Sequence, residues 1–141
     1  MGGKANYVRE VKSLIYNFDN VKLKGDMTNK TILFDSRGFM GDPVLRACSA
    51  EAIGVLYFIT MTNPSGKLQL DGNEEYMKML RRLKPRARLR LLADALNEQY
   101  PTSKPTQTRR GLFELYDRGI ITVEDATVSV VSEHNYVQGT E

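Results

Sequence analysis

A chain of 141 residues, 41% of them hydrophobic and 26% charged, is long enough to bury one core and too short for two full domains. Its net charge of +3 hides an asymmetry: between Lys78 and Arg110 stand ten basic residues against two acids, a local balance of +8 that leaves −5 for the remainder. One cysteine, Cys48, and one histidine, His134, exclude an internal disulfide and provide no ligand spacing for structural zinc, and no run of eighteen apolar residues is present to cross a membrane.

The opening MGGKANYVREVKS lacks the apolar stretch of a secretory signal, and Asn6 stands where a myristoylation motif needs Ser or Thr. The expectation is a cytoplasmic protein without a membrane anchor. In YVREVKSLIYNF (7–18), Val8, Val11, Leu14, Ile15 and Phe18 recur at three- and four-residue steps and predict an amphipathic helix. Val21 to Met27 and Thr31 to Phe34 are β-prone runs on either side of Thr28-Asn29, readable as a hairpin or as an extended arm. Asp35-Ser36-Arg37-Gly38 and Gly41-Asp42-Pro43 are turn chemistry, which sets the start of a compact domain near residue 43.

Ser49 is a good N-cap, Glu51 suits a first turn, and the IGVLYFITM that follows is apolar nearly all round, the pattern of a central buried helix. Asn63-Pro64-Ser65-Gly66 ends it, and Lys67-Leu68-Gln69-Leu70 alternates as a half-buried strand does. A helix is predicted over Glu74 to Leu83, interrupted at Lys84 by Pro85. The next, Arg86 to Gln99, carries Leu89, Leu92, Ala93 and Leu96 on one face. After Pro101-Thr102-Ser103-Lys104, Pro105 opens a helix to Arg118 with Leu112, Phe113, Leu115 and Tyr116 inward, closed by Gly119. Ile120 to Val123 and Thr127 to Val131, joined through Glu124-Asp125-Ala126, read as a β-hairpin, and the chain after Ser132 as a polar, frayed tail.

This order predicts an α+β fold, mainly helical: a winged helix-turn-helix over 43–132 with a small hairpin wing, an N-terminal helix and arm over 1–42, and a tail over 133–141. The segment LADALNEQYPTSKPTQTRRGLFELYDRGIITVED (92–125) resembles the winged-helix module at the N-terminus of bacteriophage replication proteins and replisome organisers. Leu115-x-x-x-Gly119-Ile120-Ile121 reproduces the ending of that module's recognition helix, and FMGDPVLRACSAEAIGVLYFITMTNPSGKLQL (39–70) is similar to its first helix and strand. The likeness covers about two thirds of the chain and implies a phage-encoded protein in the host cytoplasm, acting in replication initiation or transcription regulation.

In such a module the second helix of the pair lies in the major groove while the first crosses the backbone. Candidate readers are therefore Thr106, Gln107, Arg109 and Arg110, since Arg pairs with guanine, Gln with adenine, and Thr with phosphate or a thymine methyl. Lys104 is placed for phosphate, and Arg81, Arg82, Arg86, Arg88 and Arg90 are candidates for nonspecific phosphate contacts. The same residues read blandly as a solvated helix face, with Thr106 and Gln107 merely satisfying free N–H groups. Glu124 and Asp125 at the wing tip depart from a phosphate-contacting wing and leave a second reading open. In it the chain is an adaptor or inhibitor that docks on an acidic protein such as host RNA polymerase.

Tyr57, Tyr76, Tyr100 and Tyr116 fall at apolar helical positions and read as core aromatics. Met27, Met40, Met61, Met77 and Met79 read as gap-fillers or interface contacts rather than a cofactor site. No nucleophile stands beside a base, no glycine-rich phosphate loop opens a helix, and Asp35, Asp42, Asp71, Glu74 and Glu75 sit at turns and caps. The expectation is a protein without catalytic activity, cofactor or metal.

Overall fold

The computed structural model describes residues 22–24, 31–99 and 104–140. The predicted helix over 7–18 lies outside them, as do Met27 and Tyr100. The elements in chain order begin with β1 (Lys22–Lys24), β2 (Thr31–Phe34), α1 (Ser36–Gly41) and α2 (Pro43–Arg46). They continue with α3 (Ala50–Thr62), β3 (Lys67–Asp71), α4 (Glu74–Arg81), α5 (Pro85–Gln99) and α6 (Pro105–Asp117), and end with β4 (Ile121–Glu124), β5 (Thr127–Val130) and β6 (Val137–Thr140).

The helix starts follow from side chains that accept the free N–H groups of a first turn. Ser49 Oγ accepts from Ala52 N at 3.2 Å and Asn73 Oδ1 from Tyr76 N at 2.7 Å. Asp35 and Asp42, which read as turn residues, act the same way. Asp35 accepts from Gly38 N at 2.9 Å, and Asp42 from Val44 N at 2.9 Å and Leu45 N at 3.2 Å, so each caps a short helix. A carboxylate that folds back on the chain gives the same local signal in a turn as in a cap. Pro85 and Pro105 both open helices, where their missing N–H costs nothing.

The fold is α+β with two small antiparallel sheets. The larger has the order β1-β3-β5-β4. Leu68 and Leu70 of β3 and Val128 and Val130 of β5 point inward at every second position, while Lys67 and Gln69 stay exposed. The hairpin is as predicted, with Glu124 opposite Thr127 and a two-residue connection in which Asp125 has φ 50°. Gly119 closes α6 at φ 74°, a left-handed conformation that favours glycine. Below the sheet, α3 and α5 both pack against α6, and Leu45, Ile59, Leu80, Leu89, Leu112 and Leu115 are fully buried between the layers. Tyr76 is buried with them, whereas Tyr57 and Tyr116 are half-buried and Met40 and Met79 are exposed.

The β-prone runs before residue 35 form neither a hairpin with each other nor a free arm. β1 adds to β3, with Leu23 opposite Leu70, while β2 pairs with β6 in a sheet of its own, Phe34 opposite Val137. Residues 31–42, grouped by sequence with the N-terminal extension, and 137–140, grouped with a polar tail, therefore meet across some hundred residues. Val137 is buried there, and Phe34, Phe39 and Tyr57 pack ring against ring with centroids 5.1 to 5.4 Å apart. Among the described residues no helix is long and apolar enough to cross a membrane.

Candidate nucleic-acid interface

The candidate readers lie at the first two turns of α6. Lys104, Thr106 and Arg110 are exposed, and Gln107 and Arg109 half-buried. No side chain caps this helix: Lys104 occupies the cap position and makes no cap hydrogen bond, in contrast to the starts of α1 to α4. Thr108, on the inner side of the same turn, reaches Asn97 at 3.4 Å. Behind it Gly111 brings α6 close to α3, where a Cβ on residue 111 would stand 2.7 Å from Val55 Cγ2 and 3.0 Å from the Glu51 carbonyl. Glu114 completes this joint by accepting the Ser49 N–H at 2.7 Å, a bond that holds its carboxyl below the ordinary range.

Both arginines expected to read bases are paired with acids of the protein itself. Arg109 Nε donates to Asp94 Oδ1 at 2.7 Å in a partly buried pair, and Arg110 Nη2 lies 3.4 Å from Glu51 Oε1. Arg86, at the other end of α5, donates to Asp117 Oδ1 at 2.7 Å and stacks its guanidinium 4.7 Å from the Phe113 ring centroid. The partners run in reverse order along the two helices: Asn97 with Thr108, Asp94 with Arg109, Arg86 with Phe113 and Asp117. Thus α5 and α6 form an antiparallel pair fastened at both ends.

The acidic hairpin tip is also accounted for. Asp125 turns back toward the corner between α4 and α5, where its carboxylate stands 3.9 Å from Arg81 Nε and its carbonyl accepts from Arg88 Nη1 at 3.1 Å. Arg88 Nε donates to the Leu83 carbonyl at 3.0 Å, and Ala126 is buried, with its carbonyl accepting from Leu70 N. The hairpin is short and bound to the body. Arg82 and Lys84 at this corner, and Lys78 one turn earlier, are exposed and make no ion pair among the described residues. Arg90 is half-buried, also without an ion pair, and its Nε is shut off from solvent with no hydrogen-bond partner.

A second polar cluster has no signal in the local sequence. Asp42, 6% exposed, receives His134 Nδ1 at 2.6 Å and Tyr136 Oη at 2.7 Å besides its two backbone N–H groups. Burial works against the charge, but these four donors outweigh it and bring the carboxyl down to about 2. The bond to Asp42 pushes the Tyr136 phenol up to about 12. The recess beside the cluster, lined by Phe34, Phe39, Tyr57 and His134 among others, has room for about one water, with a volume of about 10 Å³. Cys48 donates to the Val44 carbonyl and its thiol is raised by burial, which leaves little thiolate for nucleophilic chemistry. The cluster ties β6 to the start of α2.

Comparison with family models, with characterised proteins and with solved structures finds no match.

Proposed function

We propose that this chain is a winged helix-turn-helix protein that binds duplex DNA, without catalytic activity, and that it serves phage replication initiation or transcription control in the host cytoplasm. The observation that carries this reading is the order of elements from α3 to β5. A helix, a strand, a pair of helices, a further helix and a hairpin follow one another, with β3, β5 and β4 adjacent in the four-stranded sheet, and the start of α6 is left uncapped, with Lys104, Thr106 and Arg110 exposed over its first two turns. In this arrangement α6 enters the major groove by its N-terminal end, with Thr106 and Gln107 at base edges and Arg109 and Arg110 reaching guanine or phosphate. Lys104, Arg82 and Lys84 hold phosphates, joined by Arg81 and Arg86 where their internal acids share them, and by Arg88 where the carbonyls it bonds leave its guanidinium free. The hairpin contributes no contact, since its tip is folded onto the α4–α5 corner.

A second reading has its own support. Arg109 and Arg110 are already paired with acids, and Leu33 and Met40 are more than half exposed near β2 and α1. Such a surface suits an adaptor that docks on an acidic protein, for instance host RNA polymerase. Two variants separate the readings. Thr106→Ala with Gln107→Ala is expected to flatten preference among duplexes while retaining overall affinity within about tenfold. Arg82→Ala with Lys84→Ala is expected to weaken all sequences alike and to lower the salt slope by about 2. Fluorescence anisotropy on labelled duplexes reads both. Unchanged binding in both variants would contradict the groove reading and favour the protein partner.

A further inference from the structure

Among the described residues Arg90 is a charge that no internal partner explains. It shares a stripe of α5 with Arg86, Asp94 and Asn97, which recur at three- and four-residue steps and of which the other three contact α6. Within this seam Arg86 is matched by Asp117 and Arg109 by Asp94. Among the described residues Arg90 stands between them without an acid, a carbonyl or a side-chain acceptor, so the three guanidiniums exceed the two carboxylates by one charge. Its Nε is buried and unpartnered, whereas the residue as a whole is half-exposed. The stem and inner edge are thus held in the seam, and the terminal nitrogens remain open to solvent. A buried guanidinium N–H without an acceptor is destabilising and calls for an explanation, and the open terminal fork beside it is free to take a ligand.

We propose that the α5–α6 seam is a phosphate-binding position with the Arg90 fork as its central ligand and the Arg86 and Arg109 guanidiniums on either side. An immobilised arginine loses little rotamer freedom on binding, and its planar fork matches two phosphate oxygens, which a lysine cannot do. Arg86 and Arg109 each spend one nitrogen on an acid and keep others to share. The ligand is a phosphate group. Its source as a phosphodiester of the nucleic-acid backbone rests on the function proposed above, but the chemistry of the seam does not.

The experiment has two arms on the full chain, with Arg90→Gln and Arg90→Lys. In the first, thermal unfolding is followed in inorganic phosphate and in chloride at matched ionic strength. Phosphate is expected to raise the wild-type midpoint by about 3 °C and to leave Arg90→Gln unmoved. In the second, mixed-sequence duplex is titrated over a range of salt. Arg90→Gln is expected to bind all sequences roughly tenfold more weakly, with the log–log slope reduced by about 1. The variant loses no protein hydrogen bond at Nε, so its unfolding in chloride reports an intact fold. An equal phosphate effect in wild type and Arg90→Gln, or none in either, overturns the seam site whatever the duplex does. A phosphate effect that depends on Arg90 without any duplex binding supports the seam, makes free phosphate its source and refutes the nucleic-acid reading. An Arg90→Lys protein indistinguishable from wild type in both arms would overturn the role of the fork.

Discussion

Replacing Asp42 by Asn tests how the two ends of the described fold are fastened together. Asp42 accepts from Val44 N, Leu45 N, His134 Nδ1 and Tyr136 Oη, and its carboxyl falls from 3.8 to about 2. Because the folded value lies below the unfolded one, the ionised group stabilises the fold fully above about pH 5, and the contribution is lost as pH falls toward 2. A shift of this size corresponds to about 2 kcal/mol at neutral pH. Asn still caps α2 through its carbonyl, so the substitution isolates the charge and the bonds from His134 and Tyr136 rather than the cap. With no tryptophan in the chain, urea unfolding is best followed by the circular dichroism of the helices. Asp42→Asn is expected to be less stable than wild type by about 2 kcal/mol at pH 5 and by less than about 1 kcal/mol at pH 2.5, since wild type surrenders most of the carboxylate's contribution by then. A gap that stays constant over this range would place the effect in packing rather than charge.

Two further substitutions probe the packing and charge of α6. Gly111→Ala pushes a methyl into Val55 and the Glu51 carbonyl and is expected to cost about 1–3 kcal/mol in urea unfolding, with Val55→Ala restoring part of the loss. Asp94→Asn releases Arg109 from its 2.7 Å partner. It is expected to cost about 1 kcal/mol of stability, to raise duplex affinity several-fold and to steepen the salt slope by about 1, whereas a loss of affinity would show that the pair positions α6 for binding.

What sequence revealed here follows the range over which each signal acts. Ser49, the stripe Leu89, Leu92, Ala93 and Leu96, Pro105, Gly119 and the alternation of Lys67 to Leu70 are local patterns, and the elements they imply are present. The pairing of Thr31–Phe34 with Val137–Thr140 was not legible, because two four-residue strands a hundred positions apart carry no mark of each other and the second is mostly polar. Likewise Asp42, His134 and Tyr136 are separately ordinary, and only their convergence makes a buried network. The charge excess from Lys78 to Arg110 was plain, but not its internal neutralisation. Asp94 lies fifteen residues from Arg109, and Asp117 thirty-one from Arg86, so counting charges overstated how many cations of α5 and α6 stand free.

Whether the basic helical surface meets duplex DNA is measured by titrating mixed-sequence duplex with the purified protein at 50 mM and 200 mM salt. Binding is expected at the lower salt and weakens steeply at the higher, with a log–log slope of about −4 to −6 from the phosphate contacts of Lys104, Arg82, Lys84 and the α5–α6 seam. No binding at 50 mM salt, or binding indifferent to salt, would contradict the proposed function.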